Sequence, residues 1–190
     1  MKTVRFKSLK NKINLVVLAV ALTTGMASCQ NAQSKKGVEQ PSMDIHTAVL
    51  YNNLEAIRQH IEAGSDLNQK DAFGGSTPLI TAATFGQDQI VRALIQAGAD
   101  LTVQNNDGST ALHAAAFFGR VEIVQMLLDA HADKTVRNNY GHTARESVMG
   151  PFAEVKPVYE MMQNQLGPLG LQLDMAELEK TRPAIALMLQ

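Results

Sequence analysis

The chain matches itself under one fixed displacement, the step that carries Thr77 onto Thr110. Thr77-Pro78-Leu79-Ile80-Thr81-Ala82-Ala83 returns as Thr110-Ala111-Leu112-His113-Ala114-Ala115-Ala116, Gly86 as Gly119, Ile90-Val91 as Ile123-Val124, and Asp100 as Asp133. Thr143 opens a further copy at the same interval after Thr110. A step longer by one aligns an earlier copy, with Gly64 and Asp66 preceding Gly98 and Asp100. The added residue is assigned to Gly74-Gly75. A unit this short cannot bury an apolar face alone, so the copies must stack on one another.

Each unit reads as two short helices. Thr77 is placed to N-cap the first, and Pro78 takes the opening helical position, where a missing N–H costs nothing. Leu79, Ala82 and Ala83 share one face of it, and the alanines allow close helix approach. Gly86 ends that helix, and Ile90, Val91, Leu94 and Ile95 form the apolar stripe of the second. Gly98 supplies a left-handed C-cap. In the first copy Asn52 stands in for the helix-ending glycine, a substitution that Asn tolerates. In the third, His131 replaces the glycine and predicts a weaker cap.

The pattern resembles the ankyrin repeat, with its period of about 33 residues, TPLH-x-A motif, mid-repeat Gly, apolar IV-xx-LL stretch and GAD ending. The match covers 71–139 best, extends over 43–70 and becomes partial from 140 onward. The resemblance implies an all-α ankyrin-repeat solenoid over 42–190, with about four helix-turn-helix repeats and short hairpin fingers. The repeats are expected at about 43–70, 71–104, 105–137 and 138–190. The last is divided by an insertion at 150–173 and closes the stack as a helical C-terminal cap. Within it, Pro157 starts or kinks a helix carrying Tyr159, Met162 and Leu166 on one side. Asp174 with Glu177 is set to cap a further helix.

The first residues are of another kind. Lys2, Arg5, Lys7, Lys10 and Lys12 precede the apolar run Leu15 to Leu22, then small residues and the single cysteine, Cys29. The run is too short for a permanent span and suits an export signal over 1–28. Met26-Ala27-Ser28-Cys29 resembles a bacterial lipobox, with Met26 where Leu is usual, so Cys29 is expected to carry the lipid. The alternative is a plain signal peptide with an incidental cysteine. Polar residues 29–41 read as a flexible tether. The expected location is therefore the periplasmic side of a bacterial envelope membrane, with the membrane reached through Cys29. One cysteine allows no intramolecular disulfide, so stability must come from packing.

Charge and motifs narrow the function. The leader holds five of the 17 basic residues and none of the 18 acidic ones, leaving the remainder at −6. An acidic chain argues against nucleic-acid binding and favours a soluble monomer. The resemblance implies that His113 orders its own repeat by bonding to Thr110. The other histidines stand singly, and no HExxH, G-x-S-x-G or phosphate-loop pattern occurs, so neither a metal nor a cofactor is expected and no catalytic residue is assigned. Asp66, Asp100 and Asp133 read as turn residues.

One set of residues points to binding. The positions before the mid-repeat Gly hold Tyr51, Phe85, and Phe117 with Phe118, giving a stripe of Tyr51, Phe85 and Phe118 with one ring per repeat. The fingertips offer Phe73, Asn106, Asp107, Asn139 and Tyr140. Ankyrin domains use these positions as contacts on their concave face, so the resemblance implies a protein partner there. Two readings of the rings stand: packing between repeats, or an exposed interface. For the whole chain the leading expectation is an envelope-anchored adaptor rather than an enzyme. The alternatives are an accessory subunit or enzyme using 150–173, and a purely structural envelope protein.

Overall fold

The structure is a computed structural model that describes residues 41–190. The leader and Cys29 lie outside the described residues, as does the tether apart from Pro41. Three helix pairs follow in order: α1 (Ile45–Leu50) with α2 (Leu54–Ala63), α3 (Pro78–Phe85) with α4 (Asp88–Gln96), and α5 (Ala111–Phe117) with α6 (Val121–Asp129). Then come a 3-10 turn (Glu146–Val148), α7 (Phe152–Leu166), a second 3-10 turn (Gly167–Leu169) and α8 (Met175–Met188). All regular elements among the described residues are helical.

The pairs stack into two layers. First helices α1, α3 and α5 pack in series with the turn Glu146–Val148, and second helices α2, α4, α6 and α8 pack beside them. The core lies between the layers. Leu79 and Leu112 occupy the same position in successive units, as do Ile90 and Ile123, and all four are at most 1% exposed. Ala82, Ala83, Ala115 and Ala116 are fully buried where neighbouring first helices meet. Their small side chains permit that approach.

Local chemistry sets the helix ends. Asp44 and Thr77 accept from Thr47 N and Ile80 N as N-caps. Thr110 pairs with His113 instead: Thr110 N–H donates to Nδ1 at 3.3 Å, and the Thr110 hydroxyl lies 2.9 Å from the same atom. The other ring nitrogen, Nε2, donates to the His142 carbonyl of the next unit at 3.1 Å. His113 thus ties two repeats together as well as ordering its own. Left-handed residues close several helices, including Asn52 (φ 51°), Gly86 (φ 73°) and His131 (φ 62°).

Between α6 and α8 the pattern of two helices is interrupted. Thr143 and Glu146 cap one another, with Glu146 N–H donating to Thr143 Oγ1 at 3.2 Å and Thr143 N–H to Glu146 Oε2 at 2.9 Å. Gly150-Pro151 then stops the helix after one turn, because Pro151 offers no N–H and restricts the residue before it. The second helix of this unit resumes only at α8, whose N-cap Asp174 accepts from Ala176 N and Glu177 N. In the intervening α7, Pro157 sits inside the helix rather than at its start. Tyr159 of α7 is fully buried, with Met162 and Leu166 half-buried on the same side.

Candidate functional site

Three fingers precede the first helices of the second to fourth units. An Asp or Asn side chain builds each finger from its base. Asp71 Oδ1 accepts from Phe73 N and Gly74 N, Asn105 Oδ1 from Asp107 N and Ser109 N, and Asn138 Oδ1 from Tyr140 N and His142 N. Backbone bonds close each within a few residues: Asp71 N–H donates to Ser76 O, Asn105 N–H to Ser109 O and Asn138 N–H to His142 O, and Gly108 and Gly141 N–H donate back to Asn105 O and Asn138 O. The fingers are therefore turns rather than paired strands. Asp71, Asn105 and Asn138 carry no role in the motif reading, although their recurrence once per unit is the signal for one.

Adjacent fingers are fastened tip to tip. Asn106 N–H donates to Gly74 O and Asn139 N–H to Asp107 O, both at 2.9 Å. The Asn139 side chain also donates to Asn106 O at 2.9 Å. Asn139 thus spends its amide inside the stack, and Asn106 spends its backbone groups there. Gly75 and Gly108 have positive φ, and a Cβ on Gly108 would come within 2.6 Å of Asn139 Oδ1. What the row offers outward is Phe73 and Tyr140 together with the exposed Asn106, Asp107 and Asn139. The rings of Phe73 and Tyr140 are 97% and 71% exposed.

Tyr51, Phe85 and Phe118 each stand immediately before the left-handed residue that closes a first helix, Asn52, Gly86 and Gly119. The spacing from N-cap to left-handed residue is eight residues in α1 (Asp44 to Asn52) and nine in α3 and α5 (Thr77 to Gly86, Thr110 to Gly119). The core positions keep the register of the left-handed residue: Ile45, Leu79 and Leu112 are buried seven residues before it and Ala48, Ala82 and Ala115 four before it, so α1 simply starts one residue later. The extra residue of the first interval lies in the first finger, at Gly74-Gly75, where Asp71 to Ser76 is one longer than Asn105 to Ser109.

Exposure falls along the stack. Tyr51 is 77% exposed, Phe85 and Phe117 are half-buried, and Phe118 is 7% exposed. Phe118 lies edge-on to Phe117 at 5.2 Å between ring centres and packs as core. Packing and exposure thus fall to different rings of the set. Phe117 is covered by Tyr159 of α7, with centres 4.6 Å apart.

A second series of polar contacts runs along the helix ends. Gln87 Nε2 donates to Val49 O at 2.7 Å, and Arg120, its counterpart in the next repeat, donates to Thr84 O at 3.3–3.4 Å. Val49 O also accepts from Asn52 N–H, whereas Thr84 O lies at the C-terminal end of α3, where carbonyls lack partners inside the helix. For α5 the donor is Tyr159 Oη, 2.7 Å from Phe117 O. Arg182 Nη1 in turn donates to Tyr159 Oη at 2.8 Å. Burial pushes the Tyr159 phenol above its ordinary range, so it remains a hydrogen-bond donor.

Among the described residues no three His, Cys, Asp or Glu side chains are placed to hold a metal. A shallow groove of about 430 Å³ lies beside Arg120 and Asp174. Its lining includes the α8 N-cap Asp174 together with Gln172, Glu177 and Thr181. No described helix is long and apolar enough to cross a membrane.

The repeat geometry defines the class of protein. Residues 45–138 match the family described as "Ankyrin repeats (3 copies)", and they are ankyrin repeats. The ankyrin domain of Bcl-3, described as a unique member of the IkappaB protein family, has the same fold: TM-score 0.53, 31% identity, 54% of this chain and 45% of that one covered. Human protein phosphatase 1 regulatory subunit 27 is 42% identical over 34% of this chain and 41% of its own. A mouse 60 kDa lysophospholipase is 33% identical over 48% of this chain and 18% of its own. The chain thus spans less than half the length of these relatives. The ankyrin fold is a protein-interaction module, and that coarse function follows from the fold.

Proposed function

We propose that this protein is a non-catalytic adaptor that holds a protein partner against its first-helix layer and fingertips. The observation that carries this reading is the exposure of Tyr51, Phe73 and Tyr140, each more than 70% open to solvent. Tyr and Phe are enriched at interface cores, because each buries a large apolar area with few rotatable bonds to fix. Phe73 and Tyr140 precede the N-terminal ends of first helices, and Tyr51 ends one. A partner touching both sets must lie along the layer for about 10 Å, the length of such a helix at its usual rise. Phe85 and Phe117 are half-buried and offer edges along that path. The reading includes an envelope location, with Cys29 as the lipid attachment and a monomeric chain, supported by the basic, apolar and small-residue order of the leader.

Site-specific photocrosslinking tests the face. A photoreactive residue at 51, 73 or 140 should capture a common protein from native membranes, and one at Arg92 on the second-helix layer should not. Equal capture from Arg92, or none from the three, counts against the proposal. Mass spectrometry of the native protein should find acyl chains on Cys29, and an unmodified product beginning elsewhere removes the anchor.

A further inference from the structure

We infer that α7 is a displaceable strap. It occupies the Phe117 end of the binding face with its own Tyr159, and a partner reaching that end must take the place of this ring. The inference rests on the proposed function for its biological meaning, but its geometry stands apart from it.

Helix α7 interrupts a repeat. It enters after Gly150-Pro151 and leaves through Gly167-Pro168-Leu169-Gly170, where Gly170 has φ 102°. Both junctions are composed of residues that stop helices, so α7 can move without unwinding the turn Glu146–Val148 or α8. It is lightly held. Of its 15 residues only Tyr159 is buried, while Val158 and Met161 are 39% and 48% exposed. Among the described residues, its hydrogen bond to a first-layer helix is that of Tyr159 Oη to Phe117 O.

What it covers is the binding column. Leu50, Thr84 and Phe117 stand two residues before the left-handed residue in successive repeats. Leu50 and its neighbour Tyr51 are 36% and 77% exposed, whereas Phe117 lies under Tyr159 at 4.6 Å. The strap therefore fills one end of a row whose other end is free.

The closed state also carries a cost that opening relieves. Arg182 is 2% exposed beneath Tyr159, with its guanidinium 5.9 Å from the ring centre. It donates to Tyr159 Oη and to Gly150 O, and no carboxylate among the described residues forms an ion pair with it. A buried cation without a counter-charge is expensive, and water would solvate it once α7 lifts. The replacing group must stack on Phe117 and donate one hydrogen bond to its carbonyl. The partner chemistry is therefore a segment presenting a Tyr or Trp side chain.

Two measurements on the full chain test this without any partner, so they fail independently of the crosslinking above. In native-state hydrogen exchange, amides of α7 should exchange on the order of a hundredfold faster than those of α3 and α5, as expected for local opening. Equal protection of α7 and α5 would show an integral cap and overturn the strap. In the second, a fluorescent peptide of residues 150–170 is titrated against wild type and Tyr159→Ala. It should bind the variant at least about tenfold more tightly, because the wild-type site is already filled. Equal binding to both, or none to either, overturns the inference, as does global unfolding of Tyr159→Ala.

Discussion

Tyr159 donates its phenolic hydrogen to the carbonyl of Phe117, the counterpart one repeat on of Thr84, whose carbonyl accepts from Arg120. The same helix-end carbonyl is satisfied in two successive repeats by different donors, Arg120 and then a residue of α7. The last of these lies outside the repeat altogether. A solenoid whose next copy is missing must still satisfy the carbonyls that copy would have covered.

Removing the hydroxyl should therefore cost more than a surface change. Tyr159→Phe keeps the ring on Phe117 but leaves Phe117 O and Arg182 Nη1 without their partner. A loss of about 1–3 kcal/mol is expected, the penalty for unmet buried polar groups. Urea denaturation followed by circular dichroism measures it, and an unchanged midpoint would show that the bond contributes nothing.

His131 holds a left-handed conformation, with φ 62°, where the preceding repeat has Gly98 at φ 83°. For an L-residue that region costs roughly 1–2 kcal/mol. His131→Gly should raise stability by about 1 kcal/mol, since the side chain is exposed and its removal forfeits no core packing. Thermal melting gives the answer, and a fall in midpoint would contradict the strain.

The pH dependence follows from His113. Burial holds its pKa below the ordinary value of 6.5, with the His142 carbonyl opposing the shift. The unfolded chain then binds a proton more readily than the folded one. Stability is fully present above about pH 6.5 and declines as the pH falls through that value. Asp44, Asp100, Asp133 and Glu146 are held below their ordinary carboxylate values by hydrogen bonds, led by those from Thr47, Thr102, Thr135 and Thr143, so their contribution is lost only in a lower window. Melting from pH 8 to 5 should show the first decline, and His113→Gln should flatten it. A wild-type melting point independent of pH above 5 would refute the neutral, buried imidazole.

The repeats were legible because each one solves the same backbone problem with the same residues. A helix start needs Thr, a left-handed stop needs Gly, and a helix contact needs Ala, so the copies align without any structure. The two left-handed exceptions, Asn52 and His131, were legible by the same logic. Tyr51, Phe85 and Phe118 share a register counted from the left-handed residue, but which of them is covered is set by later elements and is not local to the repeat. Helix α7 was harder to place. Its side carrying Tyr159, Met162 and Leu166 is visible in the spacing, but an insertion has no second copy to align with. Nothing local to Tyr159 indicates that it reaches Phe117, 42 residues away in the chain.

The central claim is that exposed aromatic rings on the first-helix layer and its fingers carry partner binding. The most direct measurement compares wild type with the triple variant Tyr51→Ala, Phe73→Ala, Tyr140→Ala, recording both the melting temperature and the affinity for the protein captured by crosslinking. These rings bury little area in the fold, so melting should be unchanged. Affinity should fall about thirtyfold or more, the loss of at least ~2 kcal/mol expected when interface anchors are truncated. Unchanged affinity in a variant that melts normally would contradict the account.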